Sequence, residues 1–373
     1  MIGATFRPTE VEIDLGAIRH NVGMLRPAEA QLMAVVKADA YGHGAASVAR
    51  EALVAGATWC GVALVEEGVE LRGAGIEAPI LLLSEFPPGS EAVALAHRLT
   101  PTVYSRGGVR RLADAAHGSV GVHVKVDTGM HRVGVWPPEE LVAFLRSVDD
   151  VGLTVEGIWS HLAKSEDDPE TTAAQLGRFG AALDDAKAAG FTPMLRHVAN
   201  SAAVLRHPEA TYDLVRPGIA LYGILPDPGV GADRGLRPAL TWRSAVSFAR
   251  RLPAGERLSY GHRYELAADA TIATVPVGYA DGYPRASSSR AEVLIRGRRC
   301  RVAGNVTMDQ LLVDCGRDRV EVGDEVVLIG CQGAARVGAE EWAERLGTIS
   351  YEVVCGISAR VPRRYVHVGG DAP

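Results

Sequence analysis

The chain has 373 residues, of which 47% are hydrophobic and 23% are charged, so it is not an extended disordered protein and is long enough for two or three domains. Its 39 basic and 45 acidic residues give a net charge of −6, which argues against a general nucleic-acid-binding protein. No apolar run approaches the roughly 18 residues of a membrane span, and the acidic N-terminus does not resemble a signal peptide. Five scattered cysteines without a CxxC motif fit reduced thiols in a cytoplasmic protein and predict no metal site.

Eight continuous apolar, β-branched runs in the first part of the chain predict strands buried on both faces of a parallel sheet. These runs are Leu32–Lys37, Thr58–Leu64, Pro79–Ser84, Thr100–Tyr104, Gly121–Val126, Leu153–His161, Leu195–Ala199 and Leu214–Leu221. Helical patterns rich in alanine lie between several of them, at Ala45–Ala55, Ser90–Arg98, Gly107–Ala116, Pro138–Ser147 and Thr171–Ala189. The alternation predicts an α/β protein in which residues 1–235 form a (β/α)8 TIM-like barrel.

The pattern changes after residue 235, where short strands separated by glycine turns replace the alternation of strands and helices. Strands are predicted at Thr241–Arg250, Ala270–Pro276, Ala291–Ile295, Cys300–Ala303, Leu311–Asp314 and Glu325–Ile329, with one helix at Gly338–Leu346. Residues 236–373 are therefore predicted to form a second domain that consists mostly of β-strands.

Polar residues stand at the carboxyl ends of five of the eight predicted barrel strands, where a barrel of this kind carries its chemistry. They are Lys37, Lys125 with Arg132, His161, Asn200 with Ser201, and Arg216. Each alone has an ordinary structural explanation, such as a solvated strand end or a hydrogen-bonded core histidine. Their coincidence at one rim favours a functional site.

The residue types at this rim fit a phosphorylated aldehyde cofactor. A lysine at the mouth of an apolar barrel is partly desolvated, which favours the neutral amine that forms a Schiff base. Asn200-Ser201 and the backbone amides of Gly218-Ile219 are suitable phosphate ligands, although no P-loop is present. Together with an arginine for a ring nitrogen, at Arg216, these groups indicate pyridoxal phosphate (PLP).

The segment Ala34–Gly44, with the sequence AVVKADAYGHG, resembles the PLP-lysine signature of bacterial alanine racemases. Further matching segments are Lys125–Gly134, Trp159–His161, Asn200–Ser201, Arg216–Gly223, Ser259–Gly261, Gly278–Gly282, Met308–Gln310 and Tyr351–Cys355. The resemblance covers nearly the whole chain. It implies a cytoplasmic, homodimeric PLP enzyme of fold type III that interconverts L-alanine and D-alanine and supplies D-alanine for peptidoglycan.

The resemblance also implies two bases and a set of cofactor ligands. Lys37 would bind PLP as a Schiff base and act on one face of the substrate, and Tyr260 would act on the opposite face. Arg216 would bind the pyridine nitrogen, and His161 would orient Arg216 and Tyr260. PLP would be held by Lys37, Tyr41, Arg132, His161, Asn200, Ser201, Arg216, Gly218, Ile219 and Tyr351.

Substrate contacts and the dimer follow from the same resemblance. Arg132 and the Met308 amide would bind the substrate carboxylate, and Tyr279 would line the entrance. Lys125 stands where many family members carry a carbamylated lysine. Tyr260 and Met308 would be contributed in trans by the partner of a head-to-tail homodimer.

The chain departs from the family at two positions, of which only Thr307 borders the predicted carboxylate site. Asn305 stands where arginine is common, and Thr307 stands where cysteine or serine is common. Neither change removes a proposed catalytic group.

Three alternatives remain open from the residues alone. One is a PLP racemase with broader or different specificity, for example for serine. A PLP decarboxylase is disfavoured by the short β domain and by Tyr260 in its Ser-Tyr-Gly setting. A PLP-binding barrel without enzymatic activity would lack the C-terminal domain.

Overall fold

The computed structural model describes residues 6–368, which form two compact units. The barrel unit is Ala17–Arg237, and the β unit consists of the described residues up to Gly16 and from Pro238 onward. The ends of the two predicted domain ranges, residues 1–5 and 369–373, lie outside the described residues. Among the described helices, none is long and apolar enough to cross a membrane.

Strands and helices are numbered in chain order. The strands are β1 Glu10–Asp14, β2 Gln31–Val35, β3 Trp59–Val62, β4 Ile80–Leu82, β5 Thr102–Val103, β6 Gly121–Lys125, β7 Thr154–Trp159, β8 Leu195–His197, β9 Leu214–Val215, β10 Leu240–Ala245, β11 Phe248–Leu252, β12 Arg257–Leu258, β13 Tyr264–Glu265, β14 Ala270–Val275, β15 Glu292–Ile295, β16 Arg298–Val302, β17 Leu311–Asp314, β18 Glu325–Gln332, β19 Ala335–Val337 and β20 Arg363–Val366. The α-helices are α1 Leu15–Leu25, α2 Lys37–Gly42, α3 Ala45–Val54, α4 Val65–Gly73, α5 Glu91–Ala96, α6 Arg106–Ala115, α7 Leu141–Asp149, α8 Pro169–Ala188, α9 Ser201–Arg206, α10 Ala339–Leu346 and α11 Ser350–Cys355.

The barrel unit contains two four-stranded parallel sheets, β4-β3-β2-β9 and β5-β6-β7-β8. A parallel bridge between Leu81 and Thr100 joins them at one seam. At the other seam the Arg216 amide donates to the Ala199 carbonyl at 3.0 Å. Apolar side chains from five of these strands fill the interior, namely Met33, Trp59, Leu81, Leu195 and Leu214. All eight predicted strands overlap observed ones, and the predicted (β/α)8 fold is confirmed.

The eighth strand is shorter than predicted. It ends at Val215, and residues Ile219–Tyr222 form a 3-10 helix instead of continuing the strand. Pro217 has no amide hydrogen to donate to a sheet, so an apolar run that crosses it does not remain a strand. The backbone amides of Gly218 and Ile219 therefore lie in a turn at the strand end.

The β unit is built on a ten-stranded sheet with the order β11-β14-β17-β16-β15-β18-β10-β1-β20, and β19 pairs with β18. This confirms the predicted mostly-β character. The single strand predicted at Thr241–Arg250 is wrong in detail, because β10 and β11 are separate strands with different partners. β10 pairs with β18, and β11 pairs with β14.

The first strand differs from the predicted division, which assigned residues 1–235 to the barrel. β1 pairs antiparallel with β10 and parallel with β20, so it belongs to the β unit. Its alternating burial, with Val11 and Ile13 inside, is that of a strand with one covered face. None of the predicted strands covers Glu10–Asp14, and local pattern does not identify partners hundreds of residues away.

Candidate active site

Lys37 lies two residues after the end of β2 and opens an unusual turn. Ala38, Asp39, Ala40 and Tyr41 all have φ between 51° and 55°, so four successive non-glycine residues are left-handed. This conformation costs roughly 1–2 kcal/mol per residue and persists only where surrounding contacts impose it. The strained residues directly follow Lys37, the residue with the strongest sequence signal for chemistry.

Side-chain contacts to the backbone hold this turn. The Asp39 carboxylate accepts from the Ala45 amide at 2.8 Å, which ties the turn to the start of α3. The Ala38 amide donates to the Glu67 carboxylate of α4 at 2.6 Å. Two neighbouring helices therefore fix the backbone that carries Lys37.

Tyr41, Ser201 and Gly218 come together at the ends of three elements. The Gly218 amide donates to Ser201 Oγ at 2.8 Å, and the Ala220 amide lies 3.3 Å from the same oxygen. A Cβ atom on Gly218 would lie 2.5 Å from the Tyr41 hydroxyl, so only glycine leaves room there. Asn200 is the N-cap of α9, and its side chain accepts from the Ala203 amide at 3.0 Å.

Arg216 is the central buried charge of the barrel unit, with 4% exposure. Its guanidinium donates to His197 Nδ1 and to the Ser160 carbonyl, both at 2.8 Å. It also lies 4.7 Å from the centre of the Trp159 ring, a cation–π contact. Burial lowers the pKa of Arg216 to about 9, which leaves the group charged at neutral pH.

Two buried histidines extend from Arg216 into the barrel. Arginine can only donate, so His197 Nδ1 accepts and its proton sits on Nε2. That proton faces His123 Nδ1 at 2.8 Å, which assigns the proton of His123 to Nε2. Burial lowers the pKa of His123 to about 3 and holds that of His197 well below its usual range, so both rings are neutral. The positive charge therefore stays on Arg216.

His161 lies beside the Arg216 guanidinium. Arg216 Nη2 lies 3.3 Å from His161 Nδ1. Burial holds the pKa of His161 well below its usual range, and the charges of Arg216, Arg132, Lys125 and Lys37 add to this effect. The imidazole is therefore neutral, and the positive charge that acts on it favours an anionic ligand nearby.

Lys125 lies buried at the end of β6. Its Nζ donates to the Val133 carbonyl at 2.5 Å and lies 5.2 Å from the centre of the Trp159 ring. Burial lowers the pKa of Lys125 to about 8, and the nearby Asp127 carboxylate opposes this shift. An amine with this pKa is partly neutral, and therefore nucleophilic, near pH 8.

Tyr260 belongs to the β unit and is 76% exposed. The preceding Ser259 has φ of 59°, and its hydroxyl donates to the Asn305 carbonyl at 2.7 Å. The Asn305 side chain in turn donates to the Tyr260 carbonyl at 2.6 Å. The backbone at Tyr260 is thus held from both sides while its phenol projects into solvent.

Tyr279, Thr307 and Met308 are connected through their backbones. The Tyr279 amide donates to the Thr307 carbonyl, and the Ala280 amide donates to the Met308 carbonyl, both at 3.0 Å. A concavity of about 450 Å³ lies on this unit and is lined by Ser259, Tyr260, Gly261, His262, Thr307, Gln310, Leu311 and Leu312. Tyr260 and Thr307 therefore share one surface.

Two family models cover most of the chain. The model described as "Alanine racemase, N-terminal domain" matches residues 13–226, and "Alanine racemase, C-terminal domain" matches residues 239–365. The chain belongs to the alanine racemase family. An alanine racemase of Symbiobacterium thermophilum is 51% identical over 98% of both chains, and one of Frankia casuarinae is 45% identical over 95% of both.

Solved alanine racemase structures have the same fold. The enzyme from D-cycloserine-producing Streptomyces lavendulae matches with a TM-score of 0.92 at 41% identity, over 97% of this chain and 98% of its own. The enzyme from Bacillus anthracis, solved with bound L-Ala-P, matches with a TM-score of 0.92 at 37% identity, over 98% and 97%.

Within this alanine racemase the predicted site residues divide between the two units. Tyr260, Tyr279, Met308 and Tyr351 lie in the β unit, with Tyr351 on α11. The remainder lie in the barrel unit, namely Lys37, Tyr41, Lys125, Arg132, His161, Asn200, Ser201, Arg216, Gly218 and Ile219.

The residues that sequence analysis missed are those that support the predicted ones. His123 and His197 were unassigned, although a histidine inside a buried apolar strand is a signal for a hydrogen-bonded network. Asn305 appeared only as a departure from the alanine racemase pattern. In the structure its side chain holds the backbone of Tyr260, a role that residue identity alone does not reveal.

Proposed function

We propose that this protein interconverts L-alanine and D-alanine, with PLP as cofactor and Lys37 and Tyr260 as the two bases. The observation that carries the proposal is the match to both alanine racemase family models, in a fold that places Lys37 and the buried Arg216 at the ends of barrel strands. The guanidinium charges of Arg132 and Arg216 suit an anionic cofactor and substrate. The relative solved with L-Ala-P supports alanine as the substrate, and the named relatives give no support to serine.

The residues of the barrel unit fit PLP. The space beside Gly218, which a Cβ would close, lies against Tyr41 and Ser201, and these residues with Asn200 and the Ile219 amide would hold the phosphate. Tyr351 would join them. Lys37 would provide the covalent bond, Arg216 the partner of the ring nitrogen, and Arg132 and His161 further contacts.

When bound, PLP delocalises the electron pair that remains on the substrate Cα after its proton leaves. Lys37 Nζ would exchange a proton with Cα on one face, and Tyr260 Oη would exchange one on the other. A phenol with a pKa near 10 is a weak base in water, so it needs nearby positive charge. Arg216, acting through His161, would supply it.

The β unit would bind and position the substrate. The Met308 amide and Arg132 would hold the carboxylate, and Tyr279 would narrow the entrance. Tyr260 and Met308 are both exposed in the single chain. We therefore propose a head-to-tail homodimer in which each β unit completes the partner's barrel site.

Deuterium incorporation tests the activity directly. The holoenzyme, incubated with L-alanine in D2O, should produce D-alanine that carries deuterium at Cα. A panel of other L-amino acids, serine included, measures specificity in the same assay. A Schiff-base absorbance without exchange would instead indicate a PLP-binding barrel that is not a racemase, and release of CO2 would indicate a decarboxylase.

Gly218→Ala should weaken PLP binding by roughly 10- to 100-fold. Loss of one hydrogen bond to a charged group lowers affinity by about this factor. The added methyl group would lie 2.5 Å from the Tyr41 hydroxyl and displace it. The measurement is an absorbance titration of the apoenzyme with PLP. Gly177→Ala is the matched control, because a Cβ there meets nothing within 4 Å. Equal affinities in the two variants would contradict the proposed phosphate site.

Lys125 should form a carbamate with CO2. The fall of its pKa from 10.5 to about 8 raises the neutral fraction at pH 7 by roughly 300-fold. Nζ would attack CO2 and release one proton, and the resulting carboxylate would position Arg132. With 13C-bicarbonate, the carbamate signal in NMR should increase as the pH rises through about 8. Lys125→Arg should show none, and an unlabelled wild-type protein at pH 9 would refute carbamylation.

We also propose that the enzyme acts in the cytoplasm and supplies D-alanine for peptidoglycan. The support is its membership of the alanine racemase family. Expression in a D-alanine auxotroph should restore growth without added D-alanine. Fractionation of those cells should recover the protein in the cytoplasmic fraction.

A further inference from the structure

Cys300 and Cys315 are neighbours on two adjacent strands of the β unit. Cys300 lies on β16, and Cys315 follows β17 directly. The antiparallel register pairs Val302 with Val313 and Arg301 with Asp314, so the next pair in the series is Cys300 with Cys315. Directly opposed residues in an antiparallel pair project to the same face of the sheet.

The backbone hydrogen bonds define the type of this pair. The Cys315 amide donates to the Thr271 carbonyl at 2.9 Å, on the β14 side of β17 and away from Cys300. On the opposite side, the Ala303 amide donates to the Leu312 carbonyl at 2.8 Å. The backbone groups of successive residues in a strand point to opposite neighbouring strands. Those of Cys315 point toward β14, so Cys315 makes no backbone hydrogen bond to Cys300, and the two form a non-hydrogen-bonded pair. Such pairs have a Cα separation of about 4.5 Å, within the range that a disulfide spans.

Both thiols lie in the protein interior, with 5% exposure for Cys300 and 4% for Cys315. The Cys300 thiol donates to the Arg298 carbonyl and the Cys315 thiol donates to the Val313 carbonyl, both at 3.8 Å. Either sulfur can attack an oxidant, and the other sulfur then resolves the intermediate.

We propose that Cys300 and Cys315 form a thiol modification site that a peroxide oxidises to a disulfide. One of the two sulfurs attacks a peroxide oxygen, the O–O bond breaks, and a sulfenic acid and one water form. The other sulfur then attacks the sulfenic sulfur, the S–S bond forms, the S–O bond breaks, and the oxygen leaves as a second water with the remaining protons. Two thiols lose two electrons, and the peroxide gains them.

The location gives the modification a consequence. The disulfide would close the base of the segment between β16 and β17, which carries Asn305, Thr307 and Met308. Asn305 holds the Tyr260 backbone, so the bond would restrain the surface that presents Tyr260. An effect on turnover rests on the proposed function, whereas formation of the bond does not.

Treatment of the holoenzyme with hydrogen peroxide tests the site itself. After N-ethylmaleimide blocking and digestion, mass spectrometry should find one linked peptide pair containing Cys300 and Cys315. The linked pair should weigh about 2 Da less than the two reduced peptides together, the two hydrogens lost, and dithiothreitol should separate it. The exposed Cys331 provides an internal measure of peroxide exposure. If Cys331 is fully oxidised while Cys300 and Cys315 remain alkylated, the proposal is overturned.

Variants separate this pair from the other cysteines. Cys300→Ser and Cys315→Ser should each abolish the linked peptide, and Cys331→Ser, the matched control, should retain it. Oxidation of the wild-type protein should raise Tm by roughly 6–12 °C. The reason is that a disulfide closing a loop of about 15 residues lowers the conformational entropy of the unfolded chain. A linked pair involving any other cysteine would refute the assignment. A linked pair in a protein without racemase activity would support the site and count only against the proposed function.

Discussion

Mixing a Lys37→Ala protein with a Tyr260→Phe protein should restore racemase activity that neither has alone. Each variant lacks one proposed base, so each alone should lose roughly 100- to 10,000-fold or more in kcat. In a mixed dimer with sites completed in trans, one site carries both substitutions and the other carries none. Random subunit exchange should return about a quarter of wild-type activity, because half of the dimers are mixed and each has one intact site.

A second mixture provides the control. Lys37→Ala combined with the Lys37→Ala/Tyr260→Phe double variant leaves no site with a lysine, and it should stay inactive at every ratio. If Tyr260 acted within its own chain, the first mixture would stay inactive too, since each site of the mixed dimer would lack one base. A fully active monomer in sedimentation experiments would also contradict the proposed dimer.

The Tyr260→Phe variant should distinguish between the two faces of the substrate. Lys37 remains, so one alanine enantiomer should still exchange its Cα proton for deuterium, while exchange of the other should fall steeply. Equal and small losses for both enantiomers would contradict two bases on opposite faces. Because one exchange rate is retained, the same measurement shows that the variant is folded and binds its cofactor.

Arg216→Glu should lower racemase activity by roughly 100- to 1,000-fold, as the loss of a buried electrostatic contact does. It should also raise the share of turnovers that end in transamination. A permanently charged donor disfavours protonation of the pyridine nitrogen, whereas a carboxylate favours it. The guanidinium now faces His197 Nδ1 and the Ser160 carbonyl, which are both acceptors and would repel a carboxylate.

Pyruvate release relative to alanine racemised is the quantity to measure. Arg216→Lys is the matched control. It keeps the positive charge but lacks the planar guanidinium that donates to His197 and to the Ser160 carbonyl at the same time. It should lose activity without gaining pyruvate formation. PLP absorbance should be recorded for both variants to correct for cofactor content. If the pyruvate ratio of Arg216→Glu equals that of wild type, the ring-nitrogen role of Arg216 in suppressing transamination is wrong.

The sequence alone determined the barrel and the place of its chemistry. Strands buried on both faces are continuous apolar runs, and eight of them were located because that pattern is local. The polar residues that end these runs, such as Lys37, His161 and Arg216, were identifiable for the same reason. The family signatures around Lys37 and Tyr260 are also local, so they assigned both proposed bases before any geometry was known.

Only the tertiary structure decided which distant segments meet. β1 belongs to the sheet of the β unit because it pairs with β10 and β20, and nothing in its own residues specifies those partners. The chain from Arg216 through His197 to His123 depends on three separate strands.

The pairing of Cys300 with Cys315 depends in the same way on a strand register, and the contact of Asn305 with Tyr260 depends on a loop conformation. Periodicity records which side of an element is covered. Register and loop conformation come from the packing of the whole unit, and they set which side chains touch.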